Sequence, residues 1–335
     1  MSTQNNTTMK ALVLENYGSP YVLKEIKRPV AVKGEVLVQI KASGVNPLDL
    51  KIKAGQAAHA QTKLPAISGV DMAGIVVEIG EGVTRFKAGD EVYGLTGGIA
   101  GIQGSLAEYA AVDADLLAVK PTNLSMKEAA AIPLSFITAW EGLVDRAKVD
   151  KGKTVLIQGG SGGVGHIAVQ LAVARGAKVY VTDRAARKLI IESYGATAID
   201  FTSLSVEEYV KIHTDNEGFD IVFDTVGGET LDASFKAVKT YCGHVVSILG
   251  WGTHSLAPLS FRAATYSGVF TLLPLITGKN RSHHGAILKE AALLAEAGQL
   301  KPVVDAKRYT LETIADAYQS IEARLNTGKV VIDLE

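Results

Sequence analysis

Short apolar or alternating runs, separated by Gly, Pro and Asp, fill the first third of the chain. Runs such as EVLVQIKASGV and AGIVVEIG have the length and composition of strands joined by turns, so this region is predicted to be largely antiparallel β-sheet. The pattern changes at Ser125, which is followed three residues later by Glu128. This spacing is a capping box and predicts the start of a helix.

Beyond this helix, apolar runs of strand length alternate with helical stretches. Strands that are buried on both faces have this pattern in a parallel sheet with helices packed on each side. The predicted strands are KTVLIQG, AKVYVT, TAID, FDIVFDT, HVVSILG and GVFTLL. The tail then contains one long amphipathic helix around GAILKEAALLAEAGQL and a last apolar strand, KVVIDL. We expect this tail to complete the first domain, and the predicted fold class is α/β.

The composition is that of a globular protein without a membrane span. Of 335 residues, 47% are hydrophobic and 21% are charged, and no run reaches the roughly 18 uninterrupted apolar residues of a membrane helix. Lys and Arg total 34 against 35 for Asp and Glu, which leaves no basic surplus for nucleic acid or anionic lipid. The opening MSTQNNTT lacks the features of a secretory signal or transit peptide. We expect a disordered stub on a cytoplasmic protein.

The stretch IQGGSGGVGHIAVQLA carries the strongest functional signal. Its glycines stand in G-x-G-x-x-G spacing after a predicted strand, and a helix is predicted to begin at about Val164. In a dinucleotide fold such glycines allow a tight turn, approach of the backbone to the pyrophosphate, and close packing of helix on strand. The alternative is a merely flexible turn. Because more buried strands follow, we predict a nicotinamide dinucleotide site that includes Gly160, Gly162, Gly163, Val164 and Gly165.

The identity of the nicotinamide cofactor stays open at this point. Asp183 lies about 20 residues past the loop, where a carboxylate usually binds the adenosine ribose and repels a 2′-phosphate, and this favours NAD. Arg184, Arg187 and Lys188 crowd the same turn, and guanidinium groups are natural partners of a phosphate. A third interpretation is that these charges only solvate the start of a helix.

Several separated motifs occur in order from about Met9 to the end of the chain: ASGVNPLDLKIKAG, ISGVDMAGIVVEIGEGV, GSLAEY, GGSGGVGHIAVQLA and TGKVVI. Together they resemble the zinc-independent quinone oxidoreductase and enone (2-alkenal) reductase branch of the medium-chain dehydrogenase/reductase superfamily. The resemblance implies a GroES-like, mostly-β catalytic domain over 1–127 and 278–335 and a Rossmann domain with a doubly wound parallel sheet over 128–277. It also implies a homodimer, a small hydrophobic carbonyl or quinone substrate, and NADP(H) as the favoured cofactor, with NAD(H) as the alternative.

The donor set predicts that no metal is bound. Zinc-type relatives have a cysteine ligand where this chain has Asn46 and a histidine ligand where it has Val70, and neither residue supplies a thiolate or imidazole. Cys242 is the only cysteine, so a four-cysteine zinc lobe is excluded. His283 and His284 are adjacent, and we expect both to be surface residues.

Without a Lewis acid, oxidation of a simple alcohol loses the group that stabilises its alkoxide. The resemblance instead implies NADPH-dependent hydride addition to the activated double bond of an enone or enal, or to a quinone. Negative charge then grows on the carbonyl oxygen, where the site must offer hydrogen-bond donors. The motif GVNPLDLKIKAG supplies two candidates, the amide of Asn46 and the ammonium of Lys51. The N-P-x-D-x-K pattern is similar to that of plant enone and alkenal reductases, and it favours an enone over a quinone.

Alternatives remain for each of these residues. An equally good interpretation of Lys51 is an exposed lysine beside Lys53. The alternative for Asn46 is a turn residue whose side chain hydrogen-bonds its own backbone. By resemblance Thr138 lies near the nicotinamide ribose, although a helical threonine also bonds its own backbone. Leu249 and Gly250 end a strand and are expected beside the nicotinamide.

Three further expectations complete the prediction. Asp71 is expected to be structural. Tyr266 either reaches the cleft or belongs to an edge strand, ATYSGVF, that pairs across a dimer. A cofactor-bound protein with a non-catalytic role, crystallin-like or RNA-binding, is the alternative function, although the chain lacks the basic and aromatic surface that single strands require. A zinc-type alcohol dehydrogenase is the least favoured.

Overall fold

The computed structural model describes residues 7–335, and the chain forms two compact units. The first unit comprises the chain up to Leu134 together with Leu272–Ala297 and Lys301–Glu335, and the second comprises Ser135–Thr271 and Gly298–Leu300. The expected N-terminal stub falls mostly on residues 1–6, which lie outside the described residues. The first strand begins at Thr8.

Fifteen strands and eleven α-helices form within residues 7–335. The strands are β1 Thr8–Leu14, β2 Val22–Lys27, β3 Glu35–Gly44, β4 Ala66–Ile67, β5 Asp71–Ile79, β6 Glu91–Leu95, β7 Tyr109–Asp113, β8 Leu117–Val119, β9 Thr154–Gln158, β10 Lys178–Asp183, β11 Thr197–Asp200, β12 Ile221–Asp224, β13 His244–Ser247, β14 Thr265–Gly268 and β15 Val331–Asp333. The helices are α1 Pro47–Lys53, α2 Met126–Ala130, α3 Pro133–Trp140, α4 Gly165–Ala174, α5 Lys188–Ser193, α6 Val206–Thr214, α7 Glu229–Ala237, α8 Ala257–Arg262, α9 Leu273–Thr277, α10 Arg281–Glu296 and α11 Ile314–Glu322.

Antiparallel sheets form the first unit, as the alternating pattern predicts. One sheet has the order β2-β1-β4 and the other β15-β3-β5-β6-β8, with β7 paired to β3. The C-terminal strand β15 pairs with β3, with Val331 opposite Gly44, so the tail completes this unit. Its core includes the fully buried Val36, Ile40 and Met72.

A six-stranded parallel sheet forms the second unit, in the order β11-β10-β9-β12-β13-β14. Taken in chain order this is 3-2-1-4-5-6, the doubly wound order of the Rossmann fold, in which ligands bind beyond the carboxyl ends of the strands. The predicted fold class is therefore confirmed. Ser125 accepts from the Glu128 amide as the predicted capping box.

Two local predictions are wrong. The run GVFTLL was predicted as a strand, but β14 ends at Gly268 and α9 begins at Leu273, because Pro274 lacks the N–H that a strand would use and fits the first turn of a helix. His284 was predicted at the surface and is fully buried. Helix α10 begins at Arg281, so His284 extends the buried stripe that continues through Leu288 and Ala291.

Candidate active site

The glycine-rich loop between β9 and α4 is closed by contacts that only glycine permits. Gly159 has a φ of +77°, so the left-handed turn falls one residue before the first glycine of the predicted triplet. A Cβ on Gly160 would lie 2.1 Å from Val181 Cγ1, and a Cβ on Gly165 would lie 2.1 Å from the Gly159 carbonyl oxygen. These contacts hold the helix start directly against the end of the strand.

The same loop leaves backbone donors at the helix N-terminus. Within residues 7–335 no hydrogen bond uses the amides of Gly163 and Val164. A Cβ on Gly163 would meet nothing within 4 Å, so the space beside these amides is open. Unused amides at the positive end of a ten-residue helix fit the pyrophosphate of a dinucleotide. The loop thus has the shape and polarity of a dinucleotide cradle.

At the end of β10, the carboxylate of Asp183 is bonded to backbone. It accepts hydrogen bonds from the Ser161 amide at 2.9 Å and from the Arg184 amide at 2.8 Å. Arg184 and Arg187 are exposed and form no ion pair with another residue that the structure describes, whereas Lys188 lies 3.8 Å from Glu192. The guanidinium groups of Arg184 and Arg187 therefore have no ion-pair partner at this turn, within the residues that the structure describes.

The residues expected around the nicotinamide lie on the second unit's strand ends and on α3. The hydroxyl of Thr138 is buried and lies 3.1 Å from the hydroxyl of Thr271, which donates to Glu141 at 2.8 Å. Leu249 and Gly250 were predicted to end a strand; β13 ends at Ser247, and the two residues follow its carboxyl end. Tyr266 lies on the edge strand β14, and its hydroxyl would be 2.2 Å from a Cβ on Gly250.

In the first unit, Asn46 is the N-cap residue of α1 and only 2% exposed. Its side-chain amide donates to Asp71 Oδ2 at 2.9 Å and to the Gly44 carbonyl at 3.4 Å, and its Oδ1 accepts from Lys329 Nζ. The sequence predicted that the side-chain amide of Asn46 donates to the substrate oxyanion. In the structure it donates to Asp71 and to Gly44 instead. The catalytic role of Asn46 stays a prediction.

Asp71 and Lys329 form a buried ion pair against Asn46. Lys329 Nζ lies 3.3 Å from Asp71 Oδ2, and the exposed fractions of the two side chains are 7% and 0%. The other oxygen, Asp71 Oδ1, accepts from the Leu134 amide at 2.8 Å. Burial raises the pKa of Asp71, and the nearby Lys329 ammonium opposes that rise. Sequence reasoning missed Lys329, because it lies 283 positions from Asn46 and no local spacing connects them.

A second buried carboxyl, Asp49, lies on the first turn of α1. It accepts from the Asn46 amide at 2.7 Å and is 1% exposed. Burial raises its pKa to about 7; the Asn46 hydrogen bond opposes this rise, and the charge of Asp71 adds to it. Its usual pKa is 3.8, so this carboxyl titrates near neutral pH.

The two lysines of α1 have different surroundings. Lys51 is exposed, and no hydrogen bond or ion pair joins its ammonium group to any residue between 7 and 335. Lys53 instead lines a cavity of about 380 Å³ together with Tyr21 and Tyr318. Positions two apart on a helix point to different faces, and this is why KIK is not a strand-like alternation here. Among residues 7–335 neither ammonium has a hydrogen-bond or ion-pair partner, and Lys51 is the more exposed of the two.

A zinc ion does not fit the residues at Asn46 and Asp71. The cation at this position is already the Lys329 ammonium, and Val70, which is fully buried, supplies no donor. Throughout the described chain, from residue 7 onward, no three His, Cys, Asp or Glu side chains are grouped so as to hold a metal. No helix in that same range is long and apolar enough to cross a membrane.

Comparisons with known proteins match both units. Residues 32–122 match the model of the alcohol dehydrogenase GroES-like domain, and residues 194–332 match that of the zinc-binding dehydrogenase family. The chain is 38% identical to a 2-methylene-furan-3-one reductase of Solanum lycopersicum, over 97% of this chain and 79% of the relative. It is 36% identical, with the same coverage, to a chloroplastic NADPH-dependent alkenal/one oxidoreductase of Arabidopsis thaliana. A solved alcohol dehydrogenase superfamily protein from Novosphingobium aromaticivorans is 54% identical, with a TM-score of 0.96 over 98% of this chain and 100% of that one.

Proposed function

The chain belongs to the medium-chain dehydrogenase/reductase superfamily, in the branch of quinone oxidoreductases and enone/alkenal reductases, and on that premise we propose that it is an NADPH-dependent reductase of the activated C=C bond of enones and enals. The observation that carries the proposal is the exposed, unpaired ammonium of Lys51, on a helix whose N-cap residue, Asn46, is held by a buried hydrogen-bond network. One plant relative is named as a reductase of 2-methylene-furan-3-one, and the other as an alkenal/one oxidoreductase.

The cofactor that we propose is NADPH, and it supplies the hydride when bound. The open amides of Gly163 and Val164 would hold its pyrophosphate. Arg184 and Arg187 would hold the 2′-phosphate, since phosphate is the natural partner of an unpaired guanidinium. The carboxylate of Asp183 accepts one backbone hydrogen bond on each oxygen and keeps lone pairs for a ribose hydroxyl, so NADH stays the alternative cofactor.

Lys51 is the residue that we assign to the developing oxyanion. Hydride addition at the β-carbon leaves negative charge on the carbonyl oxygen, and a donor aimed at that oxygen stabilises the transition state. Lys51 has three donor hydrogens and no partner in the described chain, whereas the amide of Asn46 is already bonded. In this assignment Asn46 fixes the helix start and Lys51 contacts the substrate.

We also propose that the reaction needs no zinc. The ammonium of Lys329 lies between Asn46 and Asp71, so a positive charge is already present where the sequence resemblance aligns the zinc ligands. A proton-bearing lysine cannot act as a Lewis acid toward an alcohol, but it balances the buried carboxylate. The proposal also includes a cytoplasmic location and a homodimer formed through the edge strand β14. The partly exposed aromatic side chain of Tyr266 on that strand supports the dimer interface.

The test is NADPH consumption with an aliphatic enone, compared among the wild type, Lys51→Met and Lys53→Met. Loss of one oxyanion donor costs about 100-fold in kcat, so Lys51→Met is expected to lose about that much with an unchanged KM for NADPH. Lys53→Met is the matched control, because Lys53 lines the cavity beside Tyr21. Equal turnover by the two variants would show that Lys51 has no role at the oxyanion. If the wild type reduces a 1,4-quinone but not the enone, the protein would be assigned as a quinone reductase.

A further inference from the structure

We propose that Lys329 is a positioning residue of the reduction: its ammonium group, paired with Asp71, fixes the side chain of Asn46 and through it the first turn of α1, which carries Lys51. This inference rests on the proposed function, because Lys51 is assigned to the substrate oxyanion there. Lys329 itself does not contact the reacting atoms. It acts through Asn46.

The hydrogen-bond polarity at Asn46 follows from the chemistry of lysine. An ammonium group only donates, so the atom of Asn46 that faces Lys329 Nζ must be the amide oxygen. The amide nitrogen then faces Asp71 Oδ2, which only accepts when ionised. With Lys329 removed, the amide oxygen loses its donor and Asp71 loses its counter-charge. The Lys329 ammonium and the Asp71 carboxylate therefore select the same one of the two possible orientations of this side chain.

Asn46 transmits that orientation to α1 through its backbone. Its amide donates to Asp49 Oδ2 at 2.7 Å, and its carbonyl accepts from the Asp49 amide at 2.9 Å. Lys51 lies two residues beyond Asp49 on the same helix. A change in the Asn46 side chain therefore shifts the helix start, and the Lys51 ammonium moves with it.

Lys329 is held by the fold independently of α1. Its amide donates to the Val303 carbonyl at 2.7 Å, and the following residue, Val330, accepts from the Val45 amide at 2.9 Å. The chain then enters β15, which pairs with β3. The segment that leads into the C-terminal strand thus places a cation at the N-terminus of α1, and its backbone is held by hydrogen bonds to residues outside α1, as a positioning group requires.

The experiment compares the wild type with Lys329→Met, with the double variant Asp71→Asn/Lys329→Met, and with the exposed control Lys289→Met. The single variant leaves a buried carboxylate unpaired and is expected to lower the thermal midpoint. The double variant removes both charges and is the variant whose kinetics are informative. We expect it to fold, to keep the KM for NADPH, and to lose about 10- to 100-fold in kcat for the enone, the range that follows from small misplacement of a reacting group. Lys289→Met should match the wild type throughout.

A second readout does not depend on turnover. Amide hydrogen exchange over residues 50–56, which include the last turn of α1, is expected to be faster in the double variant, while exchange in β9 of the parallel sheet stays unchanged. If the wild type reduces the enone and the folded double variant keeps its kcat, or if exchange over residues 50–56 is unchanged, the positioning role is refuted and the proposed function stands. If the wild type reduces neither enone nor quinone, the proposed function fails, and exchange alone decides whether Lys329 fixes α1.

Discussion

Replacement of Asp49 by asparagine is expected to stabilise the protein in a pH-dependent way. Asp49 is 1% exposed, and burial raises its pKa from 3.8 to about 7. Asparagine has nearly the same shape, and its side-chain oxygen can still accept the hydrogen bond that the Asn46 amide donates at 2.7 Å. The substitution therefore removes a titrating charge and keeps the cap of α1.

The magnitude follows from the pKa. Between pH 3.8 and 7 the folded protein binds more protons at Asp49 than the unfolded chain, so wild-type stability falls as the pH rises through this window. Each pKa unit corresponds to about 1.4 kcal/mol, which gives an upper bound of about 4 kcal/mol at pH 8. At pH 4 the same relation gives less than about 1 kcal/mol. Asp49→Asn should thus match the wild type in acid and exceed its stability above neutral pH.

Thermal unfolding followed by far-ultraviolet circular dichroism measures this difference from pH 4 to pH 8. Both tryptophans, Trp140 and Trp251, lie in the second unit, so tryptophan fluorescence would miss unfolding of the first. One kcal/mol shifts the midpoint by about 2–4 °C for units of this size, and the variant should gain several degrees at pH 8. Asp316→Asn, an exposed carboxylate on α11, is the control and should show no trend. A pH-independent difference, or an Asp49 variant that is less stable at pH 8, would refute the reasoning.

Two further predictions concern the cofactor loop and the cofactor's phosphate. Gly165→Ala would place a Cβ 2.1 Å from the Gly159 carbonyl oxygen, and we expect chemical denaturation to show a loss of stability of about 1–3 kcal/mol. Gly163→Ala, whose Cβ meets nothing within 4 Å, should fold normally and lower only the affinity for NADPH measured by calorimetry. Equal stability of the two variants would contradict the predicted difference. Alanine at both Arg184 and Arg187 is expected to raise the KM for NADPH by about 10- to 100-fold through lost charge-assisted hydrogen bonds without changing that for NADH; a parallel rise for both cofactors would assign the two arginines to another role.

Local patterns in the sequence predicted the elements whose cause is local. The G-x-G-x-x-G spacing located the turn before α4, because the close approach of Gly165 to the strand end is made by residues six positions apart. The capping box at Ser125 is likewise complete within four residues. His284 was misplaced because the prediction asked only whether two adjacent helical histidines could point at one metal, and not which of them lies on the buried face of α10.

The candidate site was only partly predictable, since its polar partners come from distant parts of the chain. Asn46 and Lys51 share one motif and were found together, but the orientation of Asn46 depends on Asp71 and on Lys329 near the other end of the sequence. Composition and periodicity carry no information on such a pairing. The burial of Asp49 also arises from tertiary packing, since aspartate is ordinarily an exposed residue type.

The most direct test of the central claim is the fate of the hydride. We would incubate the protein with NADPH that carries deuterium on the transferable position of the nicotinamide C4 and with an aliphatic enone, and locate the deuterium in the product by NMR. The account predicts a saturated ketone with one deuterium on the carbon β to the carbonyl. An allylic alcohol with deuterium on the carbonyl carbon would contradict it and indicate carbonyl reduction, and recovery of unlabelled enone would show that the bound cofactor does not reduce this class of substrate.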